Sequence, residues 1–419
     1  MSVPIRQPYR QSLLTIRASG ADNLLIRRLY GLESGYAAAP HRPDRLIVDA
    51  HVPLSTTGPD VASTARRAGV PFLIDPETHY LQDLQCAAAP WCAVPYANPD
   101  LLTPSALMRV DAQDALVEAV VNYQIESGAT AVIAPYVHIE NPTVGWVQVQ
   151  AGLWRRTMAY LQRAEINLPV IAVVALGWRC MNPMGRKALD DLWNGLAALS
   201  PDEVAVAASR VHLGVKPADR IGNLLGLVRE LSRSYMVTMW QQGLLGEACV
   251  IEGAAGYECG IGWREKCDLQ SRMTQNRSPS TGPPGPRPVY IQQVGRGVPK
   301  RRLELARANR ALWARLVCHT PGCCAPAGDD LIGDARRHDV ITRARELEHL
   351  SATPVQAWQW HLLARRLEEG IDLADRLNGL GPKSQALPSV DTKILHALRE
   401  IANARRRRTA TVRRSASSA

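Results

Sequence analysis

Phenylalanine is almost missing from this chain: Phe72 stands alone against ten Trp and eleven Tyr, an imbalance for which we have no physical account. Lysine is scarce too, confined to positions 187, 216, 266, 300, 383 and 393, so nearly all of the positive charge is arginine. No apolar run approaches the ~18 residues of a membrane span, which argues against a helical membrane protein. No charged N-terminal region followed by an apolar core and a small-residue cleavage site is present, so a cytoplasmic location with no membrane partner is expected. The nine cysteines are odd in number, lie mostly within apolar segments and form no Cys-x-x-Cys pair, which points to a reducing compartment rather than a disulfide framework.

What is present fits a globular enzyme-sized chain. Hydrophobic residues make up 46% and charged residues 21% of its 419 residues, enough to bury a core. A net charge of +10 favours a polyanionic partner, although a compositional bias towards arginine would give the same figure. Short runs rich in Val, Ile and Leu recur at Leu13–Arg17, Leu46–Ala50, Phe72–Ile74, Ala131–Tyr136, Val170–Leu176, Val204–Ser209 and Tyr235–Trp240, with a last one within Cys249–Cys259. Helical spacing fills the gaps, notably Gly58–Ala68, Asp111–Glu126, Val144–Ala164, Gly185–Leu199 and Ala218–Ser232, with Asp111 and Pro217 as start signals. This alternation predicts an α/β fold, a (β/α)₈ TIM-type barrel over residues 1–277. Four glycines, at 253, 256, 260 and 262, weaken the eighth strand and leave a seven-unit open sheet as the alternative. A Pro/Gly-rich loop is expected over 278–288, a helical C-terminal region with a Cys-rich knuckle over 289–404, and a basic disordered tail over 405–419.

A barrel of this kind carries its chemistry at the C-terminal ends of its strands. The polar residues there are Asp49 and His51, Asp75 with Glu77 and His79, His138 with Glu140 and Asn141, Arg210 with His212, Gln241 with Gln242, and Glu258. Asp75 and Glu258 are the catalytic candidates, since a carboxylate at a barrel mouth serves as base, nucleophile or acceptor. Helix capping explains Asp75 equally simply, and a Gly-rich turn with an incidental Glu explains Glu258. Arg264, Glu265 and Asp268 read as a surface ion-pair cluster. Further on, Cys318, Cys323 and Cys324 surround a Pro-Gly turn with His319. Three thiols of this spacing suit a structural zinc, the fourth ligand coming from a later helix with His338, His349 or His361; His349 is the one assigned here. Free thiols packed between helices are the alternative.

The order of these features resembles the tRNA-guanine transglycosylase family, including its relatives that place deazaguanine bases into DNA. FLIDPETHYLQ at 72–82 is similar to the family's strand ending in Asp-Ser-Gly-Gly-Phe-Gln, with Asp75 and Gln82 retained and the Gly pair missing. The segment 204–221 matches the family's Gly-Gly-Leu-Ala-Val-Gly-Glu strand and loop in placement, retaining Gly214, and Tyr257-Glu258-Cys259 stands where the family has Phe-Asp-Cys. Cys318 and Cys323 match the first and third thiols of its zinc knuckle, whose middle Cys is absent. The resemblance implies replacement of guanine by a 7-deazaguanine in tRNA or DNA, with Asp75 contacting the base and Glu258 in the nucleophile's position. Substrate contacts are expected from His79, His138, Arg210 and Gln241 by their place after the strands and from Gln82 and Tyr257 by the matched motifs; the resemblance also implies a zinc cofactor, and a nucleic acid and a purine-like base as partners, with a homodimer left open. Two other readings stay in view: a barrel that has lost its chemistry and serves as a nucleic-acid-binding scaffold, and an unrelated barrel enzyme whose Arg210, His212 and Lys216 hold a small anionic metabolite.

Overall fold

A computed structural model describes residues 12–83, 90–98, 102–143, 145–262, 264–277, 286–381 and 387–416. Most of the Pro/Gly-rich loop expected over 278–288 and the last three residues of the tail therefore lie outside the described residues. Eight parallel strands form one sheet in the order β3-β2-β1-β8-β7-β6-β5-β4. They are β1 Leu13–Ala18, β2 Arg45–Asp49, β3 Phe72–Asp75, β4 Val132–Ile133, β5 Val170–Gly177, β6 Glu203–Ser209, β7 Val237–Met239 and β8 Gly256–Gly260. The eighth strand forms despite its glycines, and Gly256 shows why one is needed: a Cβ there would meet the Leu13 carbonyl oxygen on β1 at 2.0 Å.

The seam between β3 and β4 is closed largely by side chains. Pro135 interrupts the run expected over Ala131–Tyr136, because proline has no N–H to give a ladder. Thr78 Oγ1 both donates to the Tyr136 carbonyl and accepts from its N–H, each at 2.7 Å. Gln82 does the same for His138, at 3.0 and 2.7 Å. On the other side Gln124 pairs with both backbone groups of Ile133 at 2.9 Å. Amides thus stand in for the missing strand neighbours.

Along each strand alternate residues face inward. Ile47, Leu73, Ile133, Ile171, Val173, Ala175, Ala205 and Ala207 fill the barrel, while Leu14, Ile16, Val48, Ile74, Tyr257 and Cys259 face the surrounding helices. The N-terminal end is plugged by Arg45, which forks onto Glu203 at 2.6 and 2.8 Å, with Thr238 donating to the same carboxylate at 2.5 Å. Charge at that end of a barrel serves stability rather than catalysis.

The helix Pro217–Leu231 opens on the proline expected for it, whereas Asp111 lies inside the helix Val110–Glu126 rather than capping it. After the barrel come a hairpin, β9 Val289–Ile291 with β10 Arg296–Val298, and helices Lys300–Arg307, Arg310–Leu316, Ala335–Ala352, Gln356–Asn378 and Lys393–Ala416. The last of these runs as helix past residue 405, where a disordered tail is expected from sequence; Ala and Arg are good helix formers. Arg405 is also anchored, its Nε 3.1 Å from Glu252 Oε1. Among the described residues no helix is long and apolar enough to cross a membrane.

Candidate active site

Asp75 and Glu258, 183 residues apart in sequence, meet at the C-terminal mouth of the barrel on one guanidinium. Arg17, the last inward residue of β1, sits between them: its Nη1 is 2.8 Å from Asp75 Oδ2 and its Nε 2.9 Å from Glu258 Oε1. The same Nη1 lies 2.6 Å from Asp49 Oδ1, and Arg264 grips both Asp49 oxygens from the loop after β8. Asp75 and Glu258 are fully buried and Arg17 is 5% exposed. Asp75 Oδ1 also accepts from the Tyr136 hydroxyl at 2.9 Å and the Glu77 N–H at 3.0 Å, and Glu258 Oε2 accepts from the Gln241 N–H at 2.9 Å. Burial opposes ionisation of Asp49, but Arg264 and Arg17 outweigh it and hold that carboxyl well below the usual range. Glu77 has no such cation of its own: burial, with Asp49 and Asp75 nearby, pushes its carboxyl well above the usual range.

The alternation of β1 could have identified Arg17, since Thr15 and Arg17 interrupt an otherwise apolar strand at inward positions. Arg264 is corrected from a surface ion pair to a mouth residue, because its carboxylate partner comes from β2 and not from its sequence neighbours. Asp49, His51 and Glu77 bring ligand atoms within 4.8 Å of one another. Both Asp49 oxygens are already taken by guanidinium groups, so this trio is no preformed cation cage.

Of the other residues expected to contact substrate, His79, His138, Gln241 and Arg210 gather at the mouth. His79 stacks on Tyr136 with ring centroids 5.4 Å apart, and Tyr136 meets the Trp240 ring edge-on at 6.1 Å. Arg210 lies on the rim, donating to Gln270 at 2.7 Å. Two assignments are corrected. Gln82 spends its amide closing the barrel seam against His138, and Tyr257 faces the helices because it alternates with the inward Glu258.

Around this cluster buried polar atoms stand without a hydrogen-bond partner: Glu77 Oε2, which His51 Nδ1 approaches at 3.9 Å, both His79 ring nitrogens, His138 Nε2, which lies 3.7 Å from Glu140 Oε2, Trp240 Nε1, Gln241 Oε1 and Arg272 Nη1. Native proteins pair nearly all such groups, so a polar ligand or water would satisfy these.

The buried histidines give a pH prediction. Burial lowers His138 to about 4 and holds His79 well below its usual value. A histidine whose folded pKa is depressed stays neutral while the unfolded chain takes up protons below about pH 6.5. Its contribution is therefore complete above that pH and is lost as pH falls towards 4, by up to about 3 kcal/mol for His138. Urea titrations from pH 7 to 4.5 should show the wild type losing more stability than His138→Gln; equal losses would contradict this.

Beyond the barrel, Cys318, Cys323, Cys324 and His338 bring their ligand atoms within 4.8 Å of one another, a Cys₃His cluster that could hold a metal ion. His338, not His349, completes it. His338 lies in the first turn of Ala335–Ala352, whereas His349 is about three turns, roughly 16 Å, further along and lines a separate cavity with Glu247 and Glu346. Gly322, with φ of 70°, turns the chain so that the adjacent Cys323 and Cys324 sulfurs reach His338 Nδ1 at 3.5 and 3.2 Å. His338 Nε2 lies 2.8 Å from the Tyr290 carbonyl oxygen, which only accepts, so Nδ1 presents its lone pair to the sulfurs. The next residue, Asp339, accepts from the Gly262 N–H at 2.7 Å, and Arg343, a turn further on, pairs with Glu265 at 2.5 Å. The helix that carries the imidazole thus holds the loop that presents Arg264.

No protein-family model matches the chain, and none of the curated proteins does. Among solved structures, a psychrophilic glycoside hydrolase family 10 endo-β-1,4-xylanase is similar at 8% identity and a TM-score of 0.36, over 60% of this chain and 85% of that one. An HpcH/HpaI aldolase from Desulfitobacterium hafniense gives 13% and 0.30, over 66% of this chain and 95% of that one. The carboxyl transferase domain of Rhizobium etli pyruvate carboxylase gives 13% and 0.35, over 94% and 61%. Likenesses this low carry no argument about what this chain does, and the assignment of the barrel rests on its own eight strands.

Proposed function

We propose that this protein is a base-exchanging glycosyltransferase that replaces guanine with a 7-deazaguanine in tRNA or DNA. The observation that supports it is the mouth itself, where two carboxylates expected from sequence converge among buried donors and acceptors that make no hydrogen bond. A purine offers hydrogen-bonding edges to such groups and a π-face to the His79, Tyr136 and Trp240 rings. In the reaction, a Glu258 oxygen bonds to the ribose or deoxyribose anomeric carbon as the glycosidic bond breaks and the base leaves as its anion, which takes a proton from water. The incoming base then bonds to that carbon, loses its proton and releases Glu258. Asp75 orients the base, held in place by Tyr136 and the Glu77 N–H. A denaturing gel of the protein with a labelled oligonucleotide tests this step, because a covalent adduct is expected and a base-binding protein without chemistry forms none.

Zinc is the metal proposed for the Cys₃His cluster. A tetrahedral ion with Zn–S bonds of about 2.3 Å sets its sulfurs about 3.8 Å apart, and Cys323 and Cys324 are 3.7 Å apart. Its part is structural, fixing the Ala335–Ala352 helix and through it the Arg264 loop. Purified protein should carry about one zinc per chain. Cys318→Ser and His338→Ala should lower both metal content and melting temperature, while His349→Ala should leave metal content unchanged; metal-free protein of unaltered stability would remove the claim.

The full burial of Asp75 and Glu258 against Arg17 favours a second reading, a nucleic-acid-binding scaffold in which the carboxylates are only a structural ion layer. Glu258→Gln separates the two, since it removes turnover in the first and changes only stability in the second.

A further inference from the structure

A groove of about 1260 Å³ lies between the loop after β6 and the final helix, away from the carboxylate cluster. Lys216 comes from the loop, and Lys393, His396, Arg399 and Arg407 come from the helix. The acidic residues that line the groove are Asp219 and Glu400. At the groove's edge Gly214 packs on Arg220, where an added Cβ would meet the guanidinium at 2.8 Å. Arg220 lies 3.7 Å over the Trp178 ring, and Arg179 reaches the same ring at 5.0 Å. Arg220 donates to the Arg210 carbonyl oxygen at 3.4 Å and pairs with no described carboxylate. Arg210 stands on the rim of the barrel mouth. Arginines therefore lead from the edge of the groove towards the candidate active site, with Glu140 paired to Arg179 and Asp268 beside Arg210 along the way. Burial and the like charges of Arg179 and Arg210 lower the Arg220 guanidinium, against the opposing pull of Glu140. At the tip of the loop Val215 is 98% exposed.

We propose that this strip is the track for the sugar–phosphate backbone of a single nucleic-acid strand, with a base stacking at Trp178, leading the strand to Asp75 and Glu258. It rests on the base-exchange reading of the mouth. Charge complementarity selects the occupant: guanidinium and ammonium groups along a groove neutralise phosphates, and an aromatic ring flanked by arginines accepts any base face.

The test uses the full chain and fluorescein-labelled 20-mers of single-stranded DNA and of RNA, followed by anisotropy between 50 and 300 mM NaCl. Lys216→Ala with Lys393→Ala should weaken binding about tenfold at low salt and reduce the slope of log affinity against log salt by about two. Trp178→Ala should weaken it roughly tenfold with the slope unchanged. In exchange assays these variants should raise KM and spare kcat. Unchanged affinity and slope in the lysine variant, or no binding by the wild type, overturns the strip. If the wild type binds with the expected salt slope and the lysine variant loses it, yet no form exchanges bases, the strip stands and the base-exchange reading fails.

Discussion

Arg17→Met should lower the unfolding free energy by about 4 kcal/mol while changing side-chain volume little. The expectation follows from what would be left behind. Asp75 and Glu258 lose their cation at full burial, and only Asp49 keeps one, in Arg264. Uncompensated buried charges of this kind typically cost 3–5 kcal/mol, far more than the packing change, and part is recovered if a carboxyl takes up a proton. The variant should therefore be most destabilised near neutral pH and regain stability as pH is lowered towards 5. An exposed pair behaves otherwise: Arg109 and Asp111, with side chains 71% and 68% exposed, can be separated without measurable loss of stability. Urea unfolding at pH 7.5 and 5.5 makes the comparison, and a loss below about 1 kcal/mol at both would show that the mouth does not depend on Arg17 for its charge balance.

Glu258→Gln should reduce base exchange at least about 1000-fold and remove the covalent adduct, because an amide oxygen is a far weaker nucleophile than a carboxylate. The fold should survive. Arg17 keeps Asp49 and Asp75, and the amide oxygen can still accept from Arg17 Nε. The amide NH₂ would face the Gln241 N–H and Arg17 Nη2, two donors against a donor, so stability should fall by about 1–2 kcal/mol. Asp75→Asn should instead raise KM for the incoming base and leave some adduct formation. If both variants exchange bases at the wild-type rate, neither carboxylate carries the reaction.

Strand positions were legible because parallel barrel strands, buried on both faces, read as apolar runs of Val, Ile and Leu. Where Pro135 breaks the fourth run the reading was too long, and nothing in the local pattern announces that Gln124 and Gln150, on the helices just before and after it, replace the ladder. The mouth carboxylates were found by position alone, at the ends of β3 and β8. Arg17 was missed although its register places it inward, because a single charged residue at a strand end reads as a boundary. Ligand choice at the cysteine cluster failed for a different reason: His338 and His349 share a helix, and which end meets the knuckle is decided by the Tyr290 hairpin and the Gly322 turn. The basic run after Ala404 looked like a solvated terminus, yet Arg405 reaches Glu252 at the end of the Leu244–Ile251 helix, a partner that no local pattern reveals.

Incubation of the zinc-replete protein with labelled guanine or a labelled 7-deazaguanine, and with tRNA and DNA pools in separate reactions, tests base exchange most directly. Label should enter one of the two pools, in acid-precipitable form, with the wild type and not with Glu258→Gln. Label that enters neither pool, from folded protein that still binds nucleic acid, would contradict base exchange and leave the barrel as a scaffold.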